Sequence, residues 1–196
     1  MLNQTLFVVI LSVWCFSVSQ AEFNCSDPPV LPKYDISSCC RVPRIDLGSA
    51  PQKCIKEIDS IKTVADLPAF AHVCYPECIY RHSGVLENGE IEMESVRKFL
   101  ANSVRNVDQD FVPVIMNSFD SCMKNIREQM NAIKVKMYAK LADGCSPYSS
   151  MIWGCVNTDT FLNCPEKMWK DEKECNLVKG FVQQCNPLPH VPLPAY

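Results

Sequence analysis

The chain has 196 residues, which is the size of one ordinary domain. Its formal net charge is −3, and its lysines and arginines are scattered along the chain. Because nucleic-acid binding needs a concentrated positive surface, this composition argues against a nucleic-acid partner. Apart from one short N-terminal run, no stretch approaches the roughly 18 apolar residues of a transmembrane helix, so we expect no membrane insertion.

The N-terminus has the pattern of a secretory signal peptide. Residues 6–18 are nearly all apolar, and Ser-Gln-Ala at positions 19–21 supplies the small-x-small motif that signal peptidase requires. The apolar run is too short to span a bilayer. We therefore predict a signal peptide over residues 1–21 and a secreted mature chain over residues 22–196 that forms a single domain.

The cysteine count points to disulfides. Removal of the signal peptide also removes Cys15, so the 13 cysteines become 12. An even number of cysteines in an exported chain predicts six disulfides. The chain has no CxxC pair and only three histidines, whereas structural zinc sites use tightly spaced ligand pairs. We expect no metal and no cofactor.

The predicted elements, in chain order, are an extended arm, a series of helices and an extended tail. Residues 23–44 are rich in proline and serine and have no sustained period, which predicts the arm. After Pro51 the apolar residues recur every three or four positions, as in helices, and no period-2 alternation indicates a strand. Turn and cap signals divide this region into helices at residues 51–62, 68–83, 90–106, 110–142 with a bend near 125–131, from Pro147 onward, and 165–182. Residues 186–196 contain four prolines and form the predicted tail, so the domain is predicted to be all-α.

Cys74 and Cys78 are four residues apart in the second predicted helix, so they face the same way. Such a pair can clamp its helix to two different neighbours. Each disulfide stabilises a fold by roughly 2–4 kcal/mol, which can offset the packing that a hollow core loses. A heavily cross-linked helical domain can therefore hold an apolar cavity.

Seven consecutive cysteine gaps and one proline form a specific pattern. The pattern is Cys54-x19-Cys74-x3-Cys78-x43-Cys122-x22-Cys145-x9-Cys155-x8-Cys164-Pro165, with Cys175 after nine more residues. It resembles the insect odorant-binding proteins, and within them the Plus-C branch. That branch adds cysteines before, between and after the usual six and places a proline directly after the sixth.

The resemblance implies a compact, disulfide-crosslinked helical fold with an interior apolar cavity and no catalysis. It implies that the protein carries small hydrophobic molecules such as odorants or pheromones. Carried over to this sequence, the pairing typical of the family implies the disulfides Cys54–Cys78, Cys74–Cys155 and Cys122–Cys164. The pairing of the other six cysteines stays open, although adjacent Cys39 and Cys40 are not expected to bond to each other; the six are Cys25, Cys39, Cys40, Cys145, Cys175 and Cys185.

Apolar stripes along the third and fourth predicted helices suggest where a ligand would bind. By themselves such stripes indicate only a helical core. Together with the cysteine framework they predict a hydrophobic ligand site. The residues expected to contribute are Phe99, Val104, Ile115, Phe119 and Trp153.

No nucleophile motif surrounds the three histidines, His72, His82 and His190, so we predict no catalytic residues and no enzyme. The leading prediction is a secreted carrier that reversibly binds small hydrophobic molecules. The alternative is a secreted disulfide-rich interaction protein, such as an inhibitor or an extracellular ligand, with a solid core. Receptor contact, dimerisation and the position of the tail relative to the pocket stay open.

The first testable prediction concerns processing and oxidation. The secreted protein should begin at or near Glu22, and its intact mass should lie about 12 Da below that of the reduced chain, since each of six disulfides removes two hydrogens. Mass spectrometry before and after reduction measures both. Two or more free thiols in the folded protein would contradict the framework.

Overall fold

The computed structural model describes residues 23–27, 29, 38–60, 67–132 and 144–185. These residues are mostly helical, which confirms the predicted all-α fold. The elements are α1 (Ala50–Ser60), α2 (Leu67–His82), β1 (Leu86–Glu87), β2 (Glu90–Ile91), α3 (Met93–Ser103), a 3₁₀ helix (Asn106–Phe111), α4 (Val112–Ala132), α5 (Pro147–Leu162), a second 3₁₀ helix (Glu166–Met168) and α6 (Lys173–Cys185). The predicted signal peptide and C-terminal tail lie outside the described residues.

The start of α5 follows its sequence signals. The hydroxyl of Ser146 accepts a hydrogen bond from the backbone N–H of Tyr148 (3.3 Å), and Pro147 occupies the first helical position. Both features are favourable at a helix N-terminus, because the first N–H groups lack partners within the helix.

A β-hairpin precedes α3, where no strand was predicted. Leu86 pairs with Ile91 across a turn made by Asn88 and Gly89, whose φ angles are 52° and 85°. Asn-Gly favours such a turn because both positions require positive φ. The buried Leu86 and Ile91 side chains anchor the hairpin, so the third helix begins at Met93 rather than at residue 90. Two-residue strands are too short to produce a visible alternation.

The fourth predicted helix differs at its start. Residues 106–111 form a 3₁₀ helix, and the α-helix runs without interruption from Val112 to Ala132, through the region predicted to bend. Pro113 lies in the first turn, where its missing N–H leaves no hydrogen bond unmade. The predicted continuation over residues 133–142 lies outside the described residues.

The last helix begins eight residues later than predicted, at Lys173 rather than Pro165. The chain between the second 3₁₀ helix and α6 begins extended at Trp169, where it pairs with Cys40 of the N-terminal arm. Arg41 N–H donates to the carbonyl of Met168 (2.9 Å), and Lys170 N–H donates to that of Cys39 (2.8 Å). These hydrogen bonds prevent the chain from continuing as a helix after the 3₁₀ helix ends at Met168.

The main core lies between α3, α4 and α5, and it contains the predicted stripes. Val96 and Leu100 face it from α3, and both are fully buried. The α4 helix contributes apolar side chains at steps of three or four residues, from Ile115 to Met130, and α5 contributes Ile152. Burial of these stripes is the main source of stability for helices that would be marginal alone.

All 12 cysteines of the predicted mature chain are paired. The six disulfides are Cys25–Cys185, Cys39–Cys175, Cys40–Cys164, Cys54–Cys78, Cys74–Cys145 and Cys122–Cys155. The predicted Cys54–Cys78 bond is present. Cys74 and Cys78 clamp α2 to two different segments, as predicted, and Cys39 and Cys40 bond to separate partners.

The predicted Cys122–Cys164 bond is wrong, because α4 and α5 pack side by side. The Ser118 hydroxyl donates to Oδ2 of Asp159 (2.8 Å) across this interface. One turn later on α4 and one turn earlier on α5, this arrangement brings the Cα atoms of Cys122 and Cys155 to 5.8 Å, within bonding range. Cys155 is therefore bonded to Cys122 of α4 and is not available to Cys74.

The predicted Cys74–Cys155 bond is wrong for a related reason. The segment that leads into α5 lies against α2, where the Glu77 carboxylate accepts a hydrogen bond from the backbone N–H of Ser146. The Cα of Cys145 therefore lies 5.3 Å from that of Cys74, and the two cysteines are bonded. The family's usual pairing does not allow for this additional cysteine.

None of the helices among the described residues is long and apolar enough to cross a bilayer.

A testable prediction concerns the polar contact between α4 and α5. Ser118 is completely buried, and its hydroxyl also accepts a hydrogen bond from Thr160 Oγ1 (3.2 Å). Ser118→Ala should lower the free energy of unfolding by about 1–3 kcal/mol, because the buried Thr160 hydroxyl loses its acceptor. Chemical denaturation measures the loss. The control, Ser121→Ala at an exposed position of α4, should change stability by no more than about 0.5 kcal/mol. An equal effect of both variants would contradict the prediction.

Candidate functional site

A pocket of about 280 Å³ lies between residues 43–47 and helices α2, α3, α4 and α5. Pro43 at the end of the arm, with Ile45 and Leu47 from the segment between the arm and α1, forms one wall of the pocket. This wall is tied to the end of α3, since the Asp46 N–H donates to the carbonyl of Ser103 (2.9 Å). The pocket reaches the surface, because one of the residues around it, Asn157, is exposed.

The structure brings four of the five predicted ligand residues to this pocket. Phe99 lines it from α3, Ile115 and Phe119 from α4, and Trp153 from α5. Val104 is the exception, since it is buried just after the end of α3 and does not line the pocket. Contact of any of these residues with a ligand stays a prediction.

The wall formed by α2 was not predicted from the sequence. Ile79 and Tyr80 line the pocket from the last turn of this helix, and Ser83 lines it from the position directly after the helix. The spacing of Cys74 and Cys78 located the helix but gave no indication of which apolar side chains would face the pocket. The wall formed by residues 43–47 was also not predicted, because a segment without a period carries no signal for which side faces inward.

Three aromatic side chains of the lining pack together, with Phe119 and Trp153 both against Tyr80. The ring of Tyr80 lies 6.0 Å from that of Phe119 and 5.6 Å from that of Trp153, measured between centroids. These separations are typical of favourable aromatic pairs. Burial, with a smaller effect of nearby Tyr148, raises the pKa of Tyr80 well above its usual range, so its hydroxyl stays protonated. No lining residue carries a charge.

A second cluster, outside the pocket, contains potential metal ligands. Cys54, Cys78 and His82 have ligand atoms within 4.8 Å of one another. The two sulfurs are bonded to each other, so neither is a thiolate that could bind zinc. His82 Nε2 instead lies 2.5 Å from Oε1 of Glu57. The cluster therefore joins α1 to α2 and is not a metal centre.

The side chain of His72 and the whole of His190 lie outside the described residues.

Comparison with known proteins places the chain in a family. Residues 51–181, which are more than half of the chain, match the family model described as "AgamOBP47-like". The chain belongs to this family of insect odorant-binding proteins. The resemblance read from the cysteine spacing is thereby confirmed, and six disulfides are consistent with the Plus-C branch.

Two relatives from Anopheles gambiae support this assignment. The chain is 25% identical to "Odorant-binding protein 47" over 167 residues, which cover 82% of this chain and 73% of the relative. It is 18% identical to "General odorant-binding protein 68" over 183 residues, which cover 92% of this chain and 84% of the relative.

A pH prediction follows from the contact between α1 and α2. The hydrogen bond with His82, and the guanidinium of Arg81 at 2.7 Å, hold the pKa of Glu57 below its usual range. A carboxylate with a lowered pKa stabilises the fold above its ordinary pKa and loses this effect as the pH falls through the lowered value. Glu57→Gln should therefore reduce the melting temperature at pH 7 and have a smaller effect near pH 3.

Because Glu57 is 43% exposed, the effect at pH 7 should be at most about 1 kcal/mol. Thermal denaturation at both pH values tests this, with Glu128→Gln at an exposed site on α4 as the control. A difference between wild type and Glu57→Gln that grows toward acid pH would contradict the assignment.

Proposed function

We propose that this odorant-binding protein is a secreted carrier that reversibly binds small hydrophobic molecules, such as odorants or pheromones, in the pocket between α2 and α5. The observation that carries the proposal is a preformed pocket of about 280 Å³ with a mainly apolar lining that includes four aromatic side chains. Membership of a family whose relatives are named odorant-binding proteins supports it.

The binding would be noncovalent and driven by removal of apolar surface from water. Burial of apolar surface contributes roughly 25 cal/mol per Å². The walls come from four helices and residues 43–47, so little ordering is needed when a ligand enters, and preorganisation of this kind favours affinity. Micromolar dissociation constants, about −8 kcal/mol, are reasonable for a ligand held mainly by apolar contacts.

The cysteines support export. Paired cysteines at all 12 positions require an oxidising compartment, which is typical of secreted proteins. We propose that the protein acts by binding alone and catalyses no reaction. The pocket favours the carrier over the alternative of an interaction protein with a solid core.

The proposal predicts that Phe119→Ala weakens binding of an apolar naphthylamine dye by tenfold or more, because Phe119 lines the pocket. The variant should also lose about 3–5 kcal/mol of stability, since the ring is buried. Fluorescence titration and denaturation must therefore be measured on the same samples.

Phe161→Ala is the matched control. Phe161 is also buried, but it packs in a separate cluster with Cys39, Cys175 and Val178, away from the pocket. It should lower stability by a similar amount and leave dye affinity unchanged. If oxidised wild-type protein binds neither the dye nor a long-chain alcohol at tens of micromolar, the carrier function is wrong.

A further inference from the structure

One polar group stands out within the apolar lining of the pocket. The side chain of Tyr80 is 95% buried, and its ring packs against Phe119 and Trp153. Tyrosine combines a large apolar body with a hydroxyl that normally finds a hydrogen-bond partner when it is buried.

The Tyr80 hydroxyl has no such partner in the part of the chain that the structure describes. Among the described residues, two side-chain oxygens are completely shielded from solvent and also lack a hydrogen-bond partner, one on Ser149 and one on Glu172. The Tyr80 oxygen is not one of them. The Tyr80 oxygen is therefore not sealed by protein atoms, and the open space that Tyr80 lines is the pocket.

The other polar side chains around the pocket are less suited to hold a ligand. The Ser83 hydroxyl donates to the backbone carbonyls of Ile79 (2.7 Å) and Tyr80 (3.2 Å), so its proton is engaged by the helix. Asn157 is exposed, and water competes for its hydrogen bonds. Of these three polar residues, Tyr80 is therefore the one that has a buried hydroxyl available to donate a hydrogen bond to a ligand.

We propose that the Tyr80 hydroxyl donates a hydrogen bond to the ligand and selects small neutral molecules that carry one acceptor, such as ketones, esters or ethers. This inference rests on the proposed carrier function and names its ligand class. Once a ligand has displaced water from the pocket, a hydroxyl left without a partner is unfavourable, so a ligand that carries an acceptor binds more favourably here than a plain hydrocarbon does.

Volume and charge narrow the class further. The pocket volume of about 280 Å³ restricts the ligand to small molecules. No lining residue is charged, so a carboxylate or an ammonium group would lose its hydration without compensation.

The decisive experiment compares acetophenone with isopropylbenzene, which has the same number of non-hydrogen atoms and the same branching but no carbonyl. Both compete with the naphthylamine dye on wild type, Tyr80→Phe and Tyr75→Phe. Tyr80→Phe should weaken acetophenone by about two- to tenfold and leave isopropylbenzene unchanged. Tyr75 lies on the same helix but does not line the pocket, so Tyr75→Phe should change neither affinity.

A spectroscopic measurement on wild type tests the same bond without a variant. The carbonyl stretch of bound acetophenone should shift to lower frequency than in hexane, as a donated hydrogen bond requires. An unshifted stretch overturns the inference. So does an equal effect of Tyr80→Phe on both ligands while the dye still binds, and in that case the carrier function stands. If wild type binds neither the dye nor either ligand, the carrier function itself is wrong.

Discussion

Two disulfides on one face of α2 are the constraint on which the rest of the structure depends. Cys78 bonds to α1, and Cys74 bonds to the segment that leads into α5. Tyr80 follows Cys78 by two residues and forms part of the pocket wall. In a solid core the distance between facing helices is set by the side chains that fill it. Here covalent bonds hold α2 in place, so the space beside Tyr80 need not be filled for the fold to persist.

Much of the fold could be predicted because its signals are local. The stripe on α4 and the Ser146 cap depend only on neighbours in the sequence, and the structure contains both. The partners of Cys74 and Cys122 could not be derived, because each depends on which helices lie side by side. The late start of α6 has the same origin, since hydrogen bonds from the distant arm keep the chain near Trp169 extended.

The pocket was predictable on one side only. Phe99, Ile115 and Phe119 belong to amphipathic helices, whose periodicity indicates an inner face. The α2 helix has apolar residues around much of its circumference, so its sequence does not indicate that Tyr80 faces the pocket. The residue that most strongly suggests a ligand class therefore lies on the helix whose pattern carries the least information.

Three disulfides join the N-terminal arm to the last part of the chain, and they are nested one inside another. Cys25, Cys39 and Cys40 bond to partners 160, 136 and 124 residues further on. During synthesis these three thiols leave the ribosome early and must wait for partners that emerge near the end. Adjacent Cys39 and Cys40 can meanwhile react with cysteines that emerge before their native partners do. Such bonds are corrected by thiol–disulfide exchange. The pocket wall at residues 43–47 is thus among the last parts to be fixed, and yield of the native protein should depend on a disulfide isomerase.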